Sequence, residues 1–274
     1  MLGALSFLIQ IGLHTGLLAA VGFAIQRTAL GAKIRRLILA GALMLTICVA
    51  ARLLLLNAEL AGGLEHALDF SMFDWVWSPN KAQTLGYFSG AGVILVGVLS
   101  RLRVLVVLGV FALLAGVGLG GHTRALETPG LTPWIASLHV GLAAFWVTAP
   151  ITLWPSQDVD NEELLRRMDR FSAIAVWSVP LIFAVGVWLG VQLTGSYNAF
   201  FTTGYGRLLL LKLVLACGAL AIGGANKYWV TGKLRDNPAA GRRLLRRTLM
   251  VDGLLFAGIV IAIGSATSLT GPEA

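Results

Sequence analysis

"GHTRALETPGLTPWIASLHVGLAAFWV", Gly121 to Val147, joins a polar turn to an apolar run that carries a histidine in its middle. The run continues to Trp154, and at 1.5 Å per residue its 23 residues are long enough to cross ~30 Å of hydrocarbon. Seven more blocks of the same kind flank it. The eight spans fall at roughly 4–26, 36–60, 83–100, 104–121, 132–154, 171–194, 207–229 and 248–269. The expected fold is therefore an all-α polytopic membrane protein of eight transmembrane helices.

Composition agrees. Of the 274 residues 57% are hydrophobic and 12% charged, with a mean hydropathy of +0.81, whereas water-soluble domains carry roughly 25% charged residues. The net charge of +8 does not point to nucleic acid, because the basic residues sit at alternate helix ends. Arg27, Lys33 and Arg35 lie after the first span, Arg101 and Arg103 after the third, Arg166, Arg167 and Arg170 after the fifth, and "RRLLRR" before the eighth. Basic connections face the cytoplasm, so both termini are expected outside, which for a bacterial inner membrane is the periplasm. Cys48 and Cys217 lie inside apolar blocks without metal-site or disulfide spacing. "MLGALSFLIQ" lacks the basic start of a cleaved signal and reads as a retained first helix.

Within the spans a few polar residues stand out. The second carries Arg52, Asn57 and Glu59; Arg52 and Glu59 are seven apart and share a face that could border a wet vestibule. Arg207, Lys212 and Asp252 read as snorkelling groups or structural ion pairs. The loop at 61–82 is amphipathic and reads as a short interfacial helix anchored by Trp75 and Trp77, with His66 and Met72 as accessory metal candidates. "DVDNEELLRRMDR", Asp158 to Arg170, reads as a solvated helix with Glu162 paired to Arg166 one turn on.

An internal repeat is visible. "LHTGLLAAV" from Leu13 lies over "LHVGLAAFW" from Leu138, and "TLGYF" at Thr84 echoes "TTGYGR" at Thr202 at a similar offset. Residues 1–122 and 132–269 then form two four-helix units within one transmembrane domain, 1–274. Both units insert in the same direction, related by an axis along the membrane normal. Equivalent residues share a depth: His14 and His139 fall about 15 and 10 Å below the outer surface, and His122 marks the outer end of the fourth helix.

Imidazoles at membrane depth are costly and generally face a partner or cavity, and neutral imidazole is a common ligand of copper and zinc. His14, His122 and His139 are the candidate metal ligands. Met44, Met168 and Met250 are scattered and read as packing. Two histidines on separate helices also suit a bis-imidazole b-type haem between the first and fifth helices, beside Gly16 and Gly141. A membrane protein that binds metal without moving it, docking a periplasmic partner through 61–82, is a third reading. No nucleophile with a base, P-loop or HExxH motif is present, so no enzyme is indicated.

Several segments resemble the bacterial copper resistance protein D (CopD) family. They are the GH at 121–122, "LHVGLAAFW", "RFSAIAVWSV" from Arg170, "TGSYNAFFTTGYGRLLLLKLVL" from Thr194, and "GGANK" followed by "RRTLMVDG" with Asp252 in the place of the usual Glu. The resemblance is strongest from Gly121 onward, and the third-helix counterpart of YGR reads "GYF" here. It implies an eight-helix inner-membrane protein that moves copper and works with periplasmic copper carriers. Copper, Cu(I) or Cu(II), would be held by His14, His122 and His139 facing the periplasm. The partners implied are the lipid bilayer, copper and a periplasmic copper-binding protein, and no nucleic acid.

Overall fold

The computed structural model describes residues 2–121, 123–124 and 126–268. Its elements are α1 Leu2–Leu30, α2 Arg35–Ala61, α3 Phe73–Leu99, α4 Arg103–Gly118, α5 Thr132–Val147, and a short α6 Ala149–Thr152 that prolongs α5. There follow α7 Asn161–Thr194, α8 Ala199–Thr202, α9 Gly204–Ala225, a π-helical turn Asn226–Val230, α10 Thr231–Asp236 and α11 Pro238–Ser268. Among the described residues the regular structure is all helical, with no strand. Seven helical segments are long and apolar enough to cross a membrane; α4, at 16 residues, is apolar but shorter.

Local chemistry explains where these helices begin and stop. Asp160 precedes α7 and accepts the Glu163 N–H at 2.7 Å, with Glu162 and Glu163 in the first turn where the helix dipole favours acids. Thr203 does the same for α9 through the Gly206 N–H at 2.9 Å. Gly62 and Gly195 end α2 and α7 in the left-handed conformation that a residue with a Cβ adopts only at a cost.

Small residues then bring helices together. A Cβ on Gly16 would lie 2.6 Å from the Leu45 nitrogen, and one on Gly41 2.6 Å from that of Ala20, so α1 and α2 meet backbone to backbone. Gly86, Gly90, Gly109 and Gly116 form the same kind of seam between antiparallel α3 and α4. α5 runs antiparallel to α4, with Gly118 against Trp134 and Ser137, and therefore parallel to α1. Gly22 of α1 rests against the Ala144 carbonyl and Thr148. Beyond them α7 is antiparallel to α5, and α11 packs on both α9 and α1.

The second half is looser. In the most apolar window of α1, 50% of residues are buried; the corresponding shares are 17% along α7 and 6% along the helix from Gly204 to Asp236. Basic side chains gather at one end of the bundle: Arg27, Lys33, Arg35, Arg103 and Arg170 line one cleft there, and Arg235 pairs with Asp169 at 3.5 Å. The expected pair of Glu162 and Arg166 forms at 3.5 Å, and Arg167 pairs with Glu163 at 2.8 Å.

Three expectations need correction. The third helix begins at Phe73, not near residue 83, because a helix tolerates Pro79 near its start: the ring fixes a helical φ and leaves only the Trp75 carbonyl without its usual donor. The loop before it is not an interfacial helix but two 3-10 turns, Leu64–His66 and Phe70–Met72. Asn57 ties it down, donating from Nδ2 to the Ala67 and Asp69 carbonyls at 3.1 and 2.7 Å. Likewise the basic stretch at 230–247 is helical on both sides of Asn237.

Candidate functional site

The bundle leaves a cavity of about 210 Å3 on the side of Trp146 away from the basic end, bounded by α5, α7, α9 and α11. His139 of α5 and Lys212 of α9 are its titratable wall residues, and the rest is mainly aliphatic and aromatic. The His139 Nδ1 is buried and makes no hydrogen bond of ordinary geometry, although the Ile182 backbone carbonyl of α7 lies within polar reach of the ring. Ring space comes from α7: a Cβ on Gly186 would lie 3.1 Å from the His139 Cε1, a contact tight enough that the ring or the helix would have to shift by a few tenths of an ångström. A ring nitrogen held only this weakly, at the wall of a cavity, can exchange that carbonyl for a ligand.

His14 is held differently. Its Nδ1–H donates to the Gln10 carbonyl at 2.7 Å, which leaves Nε2 with the lone pair a metal would need. Lys212 lies within electrostatic reach of both imidazoles, and Arg52 of His14. Arg52 itself donates to the Gln83 Oε1 at 3.3 Å. The two histidines therefore share a cationic neighbour. Among the described residues no group of three His, Cys, Asp or Glu side chains assembles a metal site. His122 lies outside the described residues; the adjacent Thr123 lines the cavity.

The accessory candidates do not join this cavity. Asn57 is committed to the loop it staples, Glu59 is exposed, and His66 and Met72 are exposed on the 3-10 turns. In that loop Asp69 accepts the Ser71 N–H at 3.0 Å, which holds its carboxyl below the usual range. The expected ion pairing of Arg207, Lys212 and Asp252 is not found among the described residues. Arg207 donates instead to the Phe201 carbonyl at 3.1 Å, and the Asp252 Oδ1 is buried without a partner. Sequence reasoning also passed over Gly186 and Phe200, which shape the cavity, because an apolar helix offers no periodic signal for either.

The walls of this cavity contributed by α7, α9 and α11 fall within residues 165–266, and these match the family model of copper resistance protein D. This part of the chain is similar to the CopD family. The chain is 28% identical over 167 residues to copper transport protein CutJ of Bacillus subtilis, an alignment covering 59% of this chain and 30% of that one. It is 30% identical over 135 residues to inner membrane protein YebZ of Escherichia coli, covering 46% and 44% respectively. The chain thus spans less than half the length of these curated relatives. No solved structure matches it. His139 and His14 lie on helices outside the CopD match, which supplies the opposite walls of the cavity.

Proposed function

We propose that this multi-pass inner-membrane protein binds copper through an outward-facing imidazole site and carries it across the membrane, contributing to copper resistance. The observation that carries the reading is the weakly held His139 Nδ1 at the wall of a cavity whose other helices match the CopD family. His14, with Nδ1 already donating to Gln10, supplies a second imidazole, and His122 a third. α4 acts as an eighth crossing: its 16 residues span about 24 Å and lie antiparallel to both α3 and α5. Eight crossings put both termini on the periplasmic side, opposite the basic end. The pairing of α1 with α11 and of α5 with α4 supports two four-helix units exchanging partners about a central α1–α5 contact. Copper would enter from a periplasmic carrier and pass between the units as they rock.

One observation favours a second reading. Lys212 and Arg52 surround the two imidazoles with positive charge, which opposes a bare cation but suits the carboxylates of a haem whose iron takes both histidines. Copper content and the absorption spectrum of the detergent-purified protein, beside a His139→Ala variant, separate the two. Stoichiometric copper that is lost in the variant, without a Soret band, establishes the copper site. A Soret band transfers the histidines to haem, and full copper retention by the His14/His122/His139 triple alanine variant ends the proposal.

A further inference from the structure

The cleft at the basic end encloses about 460 Å3, between the α1–α2 connection, the start of α4 and the first half of α7. Its charged lining is entirely cationic: Arg27, Lys33, Arg35, Arg103 and Arg170, with no Asp or Glu. These residues come from three separate stretches of chain, so the fold assembles them and no run in the sequence does. Among the described residues none of them forms an ion pair. Arg35 donates from Nη2 to the Leu99 carbonyl at 3.3 Å, but its Nε is buried with nothing to donate to. The Arg170 guanidinium reaches across to the α1–α2 turn, its Nη1 3.9 Å from where a Cβ on Gly31 would stand. A neighbouring cleft holds Asp158, Asp160 and Glu163, and of the cations above it shares only Lys33. Glu163 is already paired with Arg166 and Arg167, and Asp160 caps α7.

Two helix N-termini open onto the same cleft and add to its potential. α2 begins at Arg35 and α4 at Arg103, each without a side-chain cap and without an acid in its first turn. Free N–H groups and the helix dipole favour an anion at such an end, yet both ends carry cations. α7, with Asp160 and two glutamates at its start, shows the ordinary pattern. Charges of one sign gathered in this way repel one another unless an anion enters.

We propose that this cleft binds the headgroup of an acidic phospholipid with two phosphates, of the diphosphatidylglycerol class. Its cations exceed the charge of one phosphodiester, and basic pockets between helices at a membrane surface take such headgroups. The surroundings decide for a lipid over a free phosphate. Ala24, Ile34 and Val106 add apolar lining to the cleft. Ile174, Trp177 and Leu181 follow Arg170 at helical spacing on one face of α7, and all three are exposed, Trp177 at 80%. An acyl chain laid on that face continues from the headgroup into the bilayer. The bound lipid then bridges α7 to α1, α2 and α4.

This inference is independent of the copper reading, because the His139 cavity lies away from the basic end. Delipidated whole protein in detergent is titrated with diphosphatidylglycerol and with phosphatidylcholine, and bound lipid is counted by native mass spectrometry. One diphosphatidylglycerol should be retained in preference. Arg103→Gln/Arg170→Gln should weaken it about 25-fold, at about fivefold for each cation lost. Arg243→Gln/Arg247→Gln removes the same charge from exposed positions of α11 and should bind like the wild type. Equal weakening in both double variants overturns the site, as does equal retention of phosphatidylcholine. Inorganic phosphate that displaces the lipid at equimolar concentration overturns the lipid assignment. Should Arg103→Gln/Arg170→Gln fail to fold, diphosphatidylglycerol with a photoreactive acyl chain decides on the wild type. Cross-links at Ile174, Trp177 and Leu181 support the site, and cross-links confined to other helices overturn it.

Discussion

The Gln26 carboxamide of α1 donates from Nε2 to the Phe145 carbonyl of α5 at 2.6 Å and to the Thr148 Oγ1 at 3.2 Å. Gln26 is fully buried, one turn beyond the point where Gly22 lies against Ala144 and Thr148. This polar tie fixes the α1–α5 contact that sets how His14 and His139 stand to each other. Replacing Gln26 with Leu removes two donated bonds but also its unpartnered Oε1. The expected loss is about 1 kcal/mol, in the range measured for hydrogen bonds between membrane helices. Reversible unfolding in mixed micelles checks it, and no loss of stability would show the tie to be inert.

At the α1–α2 seam, Gly16→Ala places a Cβ 2.6 Å from the Leu45 nitrogen and 2.9 Å from its Cα. Backbone cannot swing aside as a side chain can, so the helices must separate. A loss of about 1–3 kcal/mol is expected from overpacking. Gly92→Ala, which meets nothing within 4 Å, is the matched control and should unfold like the wild type.

Gly186→Ala acts on the site itself. The new methyl would stand 3.1 Å from the His139 Cε1 and must turn the ring or push α7 outward. On the copper reading proposed for the His139 cavity, copper affinity should fall several-fold with little change in thermal stability. Unchanged affinity in a competition titration would show that the ring orientation does not matter for binding.

Lys212→Met gives a result whose sign is informative. Removing a positive charge near both histidines should tighten binding of a cation, because the Coulomb term that opposed it is gone. If the ligand carries carboxylates, as haem does, the same change weakens it. The direction of the shift in dissociation constant therefore identifies the charge of the natural ligand.

The connection after α6 depends on two arginines. Arg242 donates from Nη2 to the Ser156 and Val159 carbonyls at 2.6 and 2.7 Å, and Arg246 to the Pro155 carbonyl at 3.0 Å. Lysine lacks the planar fork, so Arg242→Lys should not rescue what Arg242→Ala loses. Faster limited proteolysis between residues 153 and 160 in both variants is the expected outcome. Wild-type resistance in the lysine form would show that charge alone is enough.

Hydrophobic blocks made the membrane helices legible, because apolar length reports bilayer thickness. The same fact hid their full extent. α7 begins at Asn161 and α11 at Pro238, each running through polar turns that no hydropathy window includes. Pro79 was misleading for a related reason: "WSPN" looks like a break, yet the helix passes straight through it. His139 could be singled out as a rare imidazole in an apolar run, but its need for Gly186 lies 47 positions away and leaves no local pattern. Lys212 and Asp252 were visible as charges and were expected to find partners. Only packing reveals that neither has an ion pair among the described residues. Gln26 carried no signal at all, since an amide within "GFAIQ" is ordinary until its neighbours are known.

The glycine seams have a mechanical consequence. Helices α1 and α2, and likewise α3 and α4, meet through glycine seams backed by a buried aliphatic core, whereas α7 and α9 meet each other over a short stretch and turn most of their surface outward. The first half is thus the stator of the molecule, and compliance is concentrated in α7 and α9. Spin labels placed within α1–α4 should hold their separations when ligand is added, while pairs joining α7 or α9 to α1 should broaden or shift.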